Sequence, residues 1–309
     1  MKSCRRSGER AMKVLVAGSS GLIGSALCAR LVEEGHEVVR LVRREVHGED
    51  EVRWDPEAGL LEADELVGVE AVVHLGGRSI AAGRWTAKIK DELMWSRVRT
   101  SELLAVRMAE LSTPPKVLLC ASAIGIYGNR GAEELHEESG PGAGFLADLG
   151  QAWEGASAAA SAAGIRVVHA RFGIVLSCRG GALAKMLLPF RLGIGGKIGD
   201  GRQYFSWISL ADVLSALSHA LGNDALQGAV NFTAPYPVTN ADLTKTLGRV
   251  LRRPTILPLP AFAAKLVIGE LAEEGLLASQ RVLPKRLTDS GFAFEYPYLE
   301  AALRHALRD

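Results

Sequence analysis

Residues 12–24 read Met-Lys-Val-Leu-Val-Ala-Gly-Ser-Ser-Gly-Leu-Ile-Gly, an apolar strand that runs into a glycine-rich turn and then a helix. Gly18, Gly21 and Gly24 stand in G-x-x-G-x-x-G spacing. In a dinucleotide-binding turn the first glycine permits the tight bend, the second lets backbone approach a pyrophosphate, and the third lets the helix pack closely. The N–H groups that open such a helix lack intrahelical partners and face the anion. Ser19, Ser20, Leu22 and Ile23 complete the cradle. A glycine triplet alone is a weak signal; the apolar run before it and the helical pattern over 22–34 supply the context that makes it specific.

The next strand predicts which dinucleotide. After Gly35, the run Glu-Val-Val-Arg-Leu-Val at 37–42 reads as a second strand. About 20 residues past the first glycine, an NAD-binding chain offers Asp or Glu to the ribose hydroxyls. Here the strand is followed by Arg43 and Arg44. A carboxylate repels a 2′-phosphate, whereas a guanidinium holds it with charge-assisted bonds, so the cofactor expected is NADP(H). The plainer reading of the pair is a solvated basic loop.

Strand-like runs at 71–75, 116–121 and 166–171 alternate with helical patterns at 86–111 and 146–163. That alternation predicts an α/β fold, a doubly wound parallel-sheet Rossmann domain with helices on both faces. Past residue 176 the loops become dense in glycine and then in proline, which marks a smaller C-terminal substrate-side domain. The expected organisation is an extension at 1–11, a nucleotide-binding domain over 12–228 with a substrate-side excursion at about 177–205, and a small domain over 229–309. Ser209 or Asp212 can start a helix over 213–221, and Thr239 with Asp242 resembles a capping box before 243–251. Residues 1–11 are polar and basic without an apolar core, and read as a disordered extension rather than a secretory signal.

Composition removes several function classes. The chain has 309 residues, and 36 basic against 35 acidic side chains leave a net charge of +1, with no basic block that would suit nucleic acid or an anionic membrane. No apolar run approaches the ~20 residues of a membrane span. Cys4, Cys28, Cys120 and Cys178 are scattered, without C-x-x-C pairs or nearby His at ligand spacing, so a reducing cytoplasm is expected and a metal site is not. The partner implied is a small-molecule substrate; the oligomeric state is not legible.

The turn at 18–24, His74-Leu75-Gly76-Gly77 and Ser122-Ala123-Ile124-Gly125-Ile126-Tyr127-Gly128 resemble the extended short-chain dehydrogenase/reductase superfamily. Gly83-Arg84-Trp85, Ser96-Arg97-Val98, Arg171-Phe172-Gly173-Ile174-Val175-Leu176, Ser206-Trp207-Ile208 and Gly291-Phe292 narrow the resemblance to its atypical, NAD(P)-dependent epimerase-like family with a small C-terminal domain. The match runs from residue 12 almost to the last residue. The resemblance implies cofactor contacts at Leu75, Gly76, Glu92 and Arg97, and places Val175 against the nicotinamide.

One departure matters for chemistry. Members of the superfamily use a Tyr-x-x-x-Lys pair, in which the lysine lowers the tyrosine pKa from about 10 toward neutrality. With Glu154 as the anchor, the two positions fall on Leu146 and Gly150, and no tyrosine in the chain has a lysine four residues on. Ser122 and Tyr127 are the remaining catalytic candidates, Ser122 also reading as a buried serine that satisfies a strand-end carbonyl. Arg84, Trp85 and Trp207 offer guanidinium and aromatic faces for substrate, Trp207 also reading as core. The reading is an NADP(H)-binding oxidoreductase or epimerase-like protein of unknown substrate. The competing one is a non-catalytic NADP(H)-responsive binding or regulatory protein.

Overall fold

Alternation within the first strand sets the architecture of the computed structural model, which describes residues 11–308. In β1 (Lys13–Ala17), Val14 and Val16 point into one apolar layer while Leu15 and Ala17 point into another. A strand buried on both faces must be apolar throughout, and this one is. The expectation for the extension lies, residue 11 aside, outside the described residues.

The sheet is completed by β2 (Glu37–Val42), β3 (Glu51–Arg53), β4 (Ala71–His74), β5 (Val117–Ala123), β6 (Arg166–Phe172) and β7 (Gly228–Phe232), all parallel. Their order is β7-β6-β5-β4-β1-β2-β3, so successive connections run outward in opposite directions from β1. Register pairs Val14 with Val38 on one side and with Ala71 on the other. The α-helices in chain order are α1 (Leu22–Glu33), α2 (Ala87–Ala109), α3 (Phe145–Gly155), α4 (Ala158–Ala162), α5 (Gly181–Arg191), α6 (Leu210–Gly222), α7 (Asn240–Leu251), α8 (Ala261–Ile268), α9 (Lys285–Asp289) and α10 (Leu299–Ala306). Leu27 and Leu31 of α1 and Val213, Ala216 and Leu217 of α6 cover one face, and Leu104, Ala105 and Met108 of α2 with Ala160 of α4 cover the other.

A second core holds the smaller domain. Leu183, Leu187 and Phe190 of α5 pack with Leu243 and Leu247 of α7 and Leu299, Ala302 and Leu303 of α10. The excursion read at 177–205 therefore contributes to the C-terminal core. The nucleotide-side sheet itself continues to Phe232, past the boundary expected at 228.

Local signals account for the helix ends. Ser209 caps α6 and Thr239 caps α7, each hydroxyl accepting the N–H three residues on. The single helix expected over 146–163 is two, α3 and α4. Ser157 breaks it: its hydroxyl donates to the Glu154 carbonyl at 2.9 Å and lies 2.8 Å from His169 Nε2. A serine that can bond backbone locally competes with helix propagation. Among the described residues, no helix is long and apolar enough to cross a membrane.

Candidate dinucleotide site

The loops after β1, β2 and β4 converge where the strand order changes direction, the place where open α/β sheets bind ligands. They enclose a cavity of about 1100 Å³. Gly18, Ser19, Ser20 and Gly21 form one wall, Arg43 and Arg44 another, and Leu75 and Gly76 a third, with Glu92 on the α2 side.

The glycines divide the work. Gly18 has φ +81°, and a Cβ there would lie 2.7 Å from backbone atoms of Leu75 and Gly76. A Cβ on Gly24 would lie 2.1 Å from the Gly18 carbonyl oxygen, so α1 can approach the turn only through glycine. Gly21 is conformationally ordinary. Its backbone is extended, φ −76° and ψ 172°, and a Cβ would meet only the Gly18 oxygen at 3.4 Å. Its lack of a side chain is therefore unexplained by the protein's own packing and leaves open space beside the helix start. No side chain caps α1 and no acidic residue occupies its first turn, in contrast to α6 and α7. Orphan N–H groups in an open, uncapped turn suit a pyrophosphate.

The two arginines after β2 have different environments. Arg44 forks onto Glu51, Nη1 to Oε2 at 2.8 Å and Nη2 to Oε1 at 2.7 Å. Hydrogen bonds from Arg44 and from the His47 N–H hold the Glu51 carboxyl at about 2. Arg43 is exposed and, among the described residues, makes no hydrogen bond or ion pair, so its guanidinium is available to a ligand in the cavity. Glu92, read as a cofactor contact, forms an ion pair with Arg78 at the cavity wall.

Residues that the sequence reading did not single out complete the cavity. Trp54 follows β3, a strand too short and too charged to register as one. Lys88, Asp91, Trp95 and Ser96 of α2 join the expected Glu92 on the wall with helical periodicity, a signal that was present in the chain. His74 lines the cavity: Nε2 lies 3.1 Å from Thr100 Oγ1, Nδ1 has no hydrogen-bond partner among the described residues, and burial lowers the ring's pKa to about 4, so the imidazole is neutral.

Several expected site residues lie elsewhere. Arg97 does not line the cavity. It is 8% exposed, stacks over Trp153 at 5.0 Å, and donates to the Arg78 carbonyl at 2.8 Å and the Leu93 carbonyl at 3.2 Å. It braces the 77–78 loop from below, and burial lowers its pKa to about 10. Leu22 lines a small adjoining recess with Ser20, Gly21, Ser25 and Arg179, while Ile23 packs on the core. Val175, in the short strand Ile174–Leu176, is half-buried against the same core. Arg84 donates to the Leu266 carbonyl at 3.3 Å, and Trp85 donates to the Ile80 carbonyl at 2.8 Å and meets Phe145 edge-on. Trp207 is fully buried in the smaller core with Nε1 on the Tyr236 carbonyl, so it presents no face to a substrate.

The two catalytic candidates are closed into a buried network. Ser122 Oγ donates to Glu154 Oε1 at 2.7 Å. Arg171 forks onto the same carboxylate, Nε to Oε1 at 2.7 Å and Nη2 to Oε2 at 2.8 Å, and donates from Nη1 to Tyr127 Oη at 2.8 Å. Tyr127 in turn donates to Asn231 Oδ1 at 2.8 Å and is fully buried. Burial raises the phenol's pKa. Tyr127, read as a catalytic candidate, thus ties the segment after β5 to β6 and β7, with its hydroxyl committed to the buried network. Ser122 takes the buried role, with a carboxylate as its acceptor rather than a strand-end carbonyl.

A nucleotide-sized cavity at the switch point, walled by a helix start and an arginine that among the described residues have no capping side chain and no ion-pair partner, defines a dinucleotide-binding α/β protein. The chain belongs to the NAD dependent epimerase/dehydratase family, whose model matches residues 14–232, and a domain of unknown function, DUF1731, matches 259–306. It is 44% identical to an epimerase family protein of Mycobacterium leprae over 96% of each chain. It is 37% identical to the human epimerase family protein SDR39U1, covering 95% of this chain and 99% of that one. The crystal structure of human SDR39U1 (isoform 2) with NADPH superposes with a TM-score of 0.87 at 34% identity, covering 96% of this chain and all of that one.

Proposed function

We propose that the protein is a cytoplasmic NADP(H)-binding oxidoreductase or epimerase-like enzyme acting on a small molecule. The observation that carries the reading is Arg43, a guanidinium that among the described residues has no hydrogen-bond or ion-pair partner, on the cavity wall where an NAD-binding chain would place an acid. The solved structure of human SDR39U1 with NADPH supports it, as does the cradle at 18–21 with its open space at Gly21. Cys28, Cys120 and Cys178 are free thiols, which suits a reducing compartment.

When bound, the nicotinamide supplies or accepts the hydride. The chain's own part is to hold the pyrophosphate on the α1 N–H groups, the 2′-phosphate at Arg43, and the nucleotide against the loop that Arg97 braces. Replacing a charge-assisted contact costs about 1.5–3 kcal/mol, so Arg43→Ala should weaken NADPH binding roughly tenfold to a hundredfold and leave NADH binding almost unchanged. Calorimetric titration of both cofactors tests this. Equal affinity of the unsubstituted protein for NADH and NADPH would overturn the reading.

A second reading, a non-catalytic NADP(H)-responsive binding protein, is favoured by one specific observation. Leu146 and Gly150 replace the superfamily pair, and Ser122 and Tyr127 are committed to the buried network. Consumption of NADPH with a panel of carbonyl compounds separates the two: turnover of any member supports the enzyme, and tight binding without turnover across the panel supports the binder.

A further inference from the structure

We infer that Glu51 is the specificity-positioning residue of this site, a buried carboxylate that locks the β2–β3 loop so that Arg43 is held ready for the 2′-phosphate. The inference rests on the NADP(H) reading above and deepens it.

The Glu51 side chain is 2% exposed although it stands beside the cavity. It accepts four contacts from one loop and its stem: the two-pronged fork of Arg44, the His47 N–H at 2.9 Å, and Arg40 Nη2 at 3.4 Å. Arg40 is also held by Asp50 Oδ2 at 2.6 Å. The residues on either side of the loop tip are therefore fixed, and Arg43 sits between the end of β2 and the pinned Arg44 with its own guanidinium uncommitted. Arg44 cannot give the same fork to a phosphate while Glu51 holds it. Arg40 is paired with Asp50 and Arg44 with Glu51, so among these three guanidinium groups the one left without a bonded carboxylate is Arg43, which a phosphate approaching a dianion at neutral pH would engage. Ordering the loop before the ligand arrives removes an entropic cost from binding, and only a ligand that engages the loop gains from it.

Glu51→Gln keeps the shape and removes the charge, so the fork from Arg44 is weakened while the fold stays intact. Dissociation constants for NADPH and NADH are measured for the unsubstituted protein, Glu51→Gln, Arg44→Gln and the double variant. NADPH affinity should fall by about tenfold in Glu51→Gln and NADH affinity should stay within about twofold. Arg44→Gln should show the same selective loss, and the double variant should lose little more, because both changes cut one interaction. Parallel loss of both cofactors would reduce Glu51 to a general fold residue and overturn the inference. So would tighter NADPH binding in Glu51→Gln, which would mean that the carboxylate sequesters Arg44 from the ligand. If the unsubstituted protein does not prefer NADPH, the NADP(H) reading fails; if it does and Glu51→Gln preserves the preference, only the role of Glu51 fails. Arg44→Gln, at an exposed position, keeps the test decisive should Glu51→Gln not fold.

Discussion

Gly21→Val should abolish detectable NADPH binding, a loss of at least about a hundredfold, with the melting temperature little changed. The backbone at Gly21 is already extended, in the region that β-branched residues favour, and its Cβ position is free of close protein contacts. The variant should therefore fold with at most a modest loss from a less favourable N-cap, and its two methyl groups should occupy the space at the start of α1 that a pyrophosphate needs. Gly24→Val provides the contrast. Its side chain would collide with the Gly18 carbonyl, so it should lower stability and binding together. Titration of both variants alongside thermal unfolding distinguishes them, and a folded Gly21→Val protein that retains NADPH affinity would remove the loop from the site.

Arg171→Leu should destabilise the fold by about 3–5 kcal/mol at neutral pH, because it strands a buried carboxylate without its partner. The Arg171 and Glu154 side chains are only 9% and 14% exposed, and the fork between them also holds Ser122 and Tyr127. Burial by itself raises the Glu154 carboxyl pKa, but the fork from Arg171 outweighs it and leaves the group below its ordinary value. In the unsubstituted protein this contribution is present above the unfolded carboxyl pKa of about 4.3 and is lost as pH falls through the folded value. In Arg171→Leu the Ser122 hydrogen bond remains but burial, the largest influence on this carboxyl, is no longer opposed by the fork, so the folded pKa should lie above the unfolded one and the penalty should grow as pH rises. Denaturant unfolding should thus show the difference between the two proteins largest near pH 7 and shrinking toward pH 4. A pH-independent difference would mean that lost packing, not the unpaired charge, sets the cost.

Much of the site was legible because backbone requirements leave a mark on sequence. Gly18 and Gly24 are demanded by contacts that admit no Cβ, and the apolar run before them is demanded by burial on both faces of β1. The absence of an acid after β2 was equally plain. Side-chain orientation was less so. Tyr127 and Trp207 have motif-like neighbours, yet both turn into cores, Tyr127 toward Asn231, 104 residues away, and Trp207 toward the Tyr236 carbonyl, 29 residues away. Arg97 carries the charge of an anion contact, but backbone carbonyls and Trp153 claim it. Glu51 sits in a three-residue strand without a hydrophobic pattern, so neither β3 nor the fork it receives could be anticipated.

The cavity at the switch point should receive a dinucleotide with its 2′-phosphate at Arg43. A crystal structure of the protein soaked with NADPH measures this directly. The pyrophosphate should lie against the 19–23 turn and the 2′-phosphate within hydrogen-bond distance of the Arg43 guanidinium, with the Arg44–Glu51 fork unbroken. A 2′-phosphate bound away from Arg43, or a nucleotide outside this cavity, would contradict it.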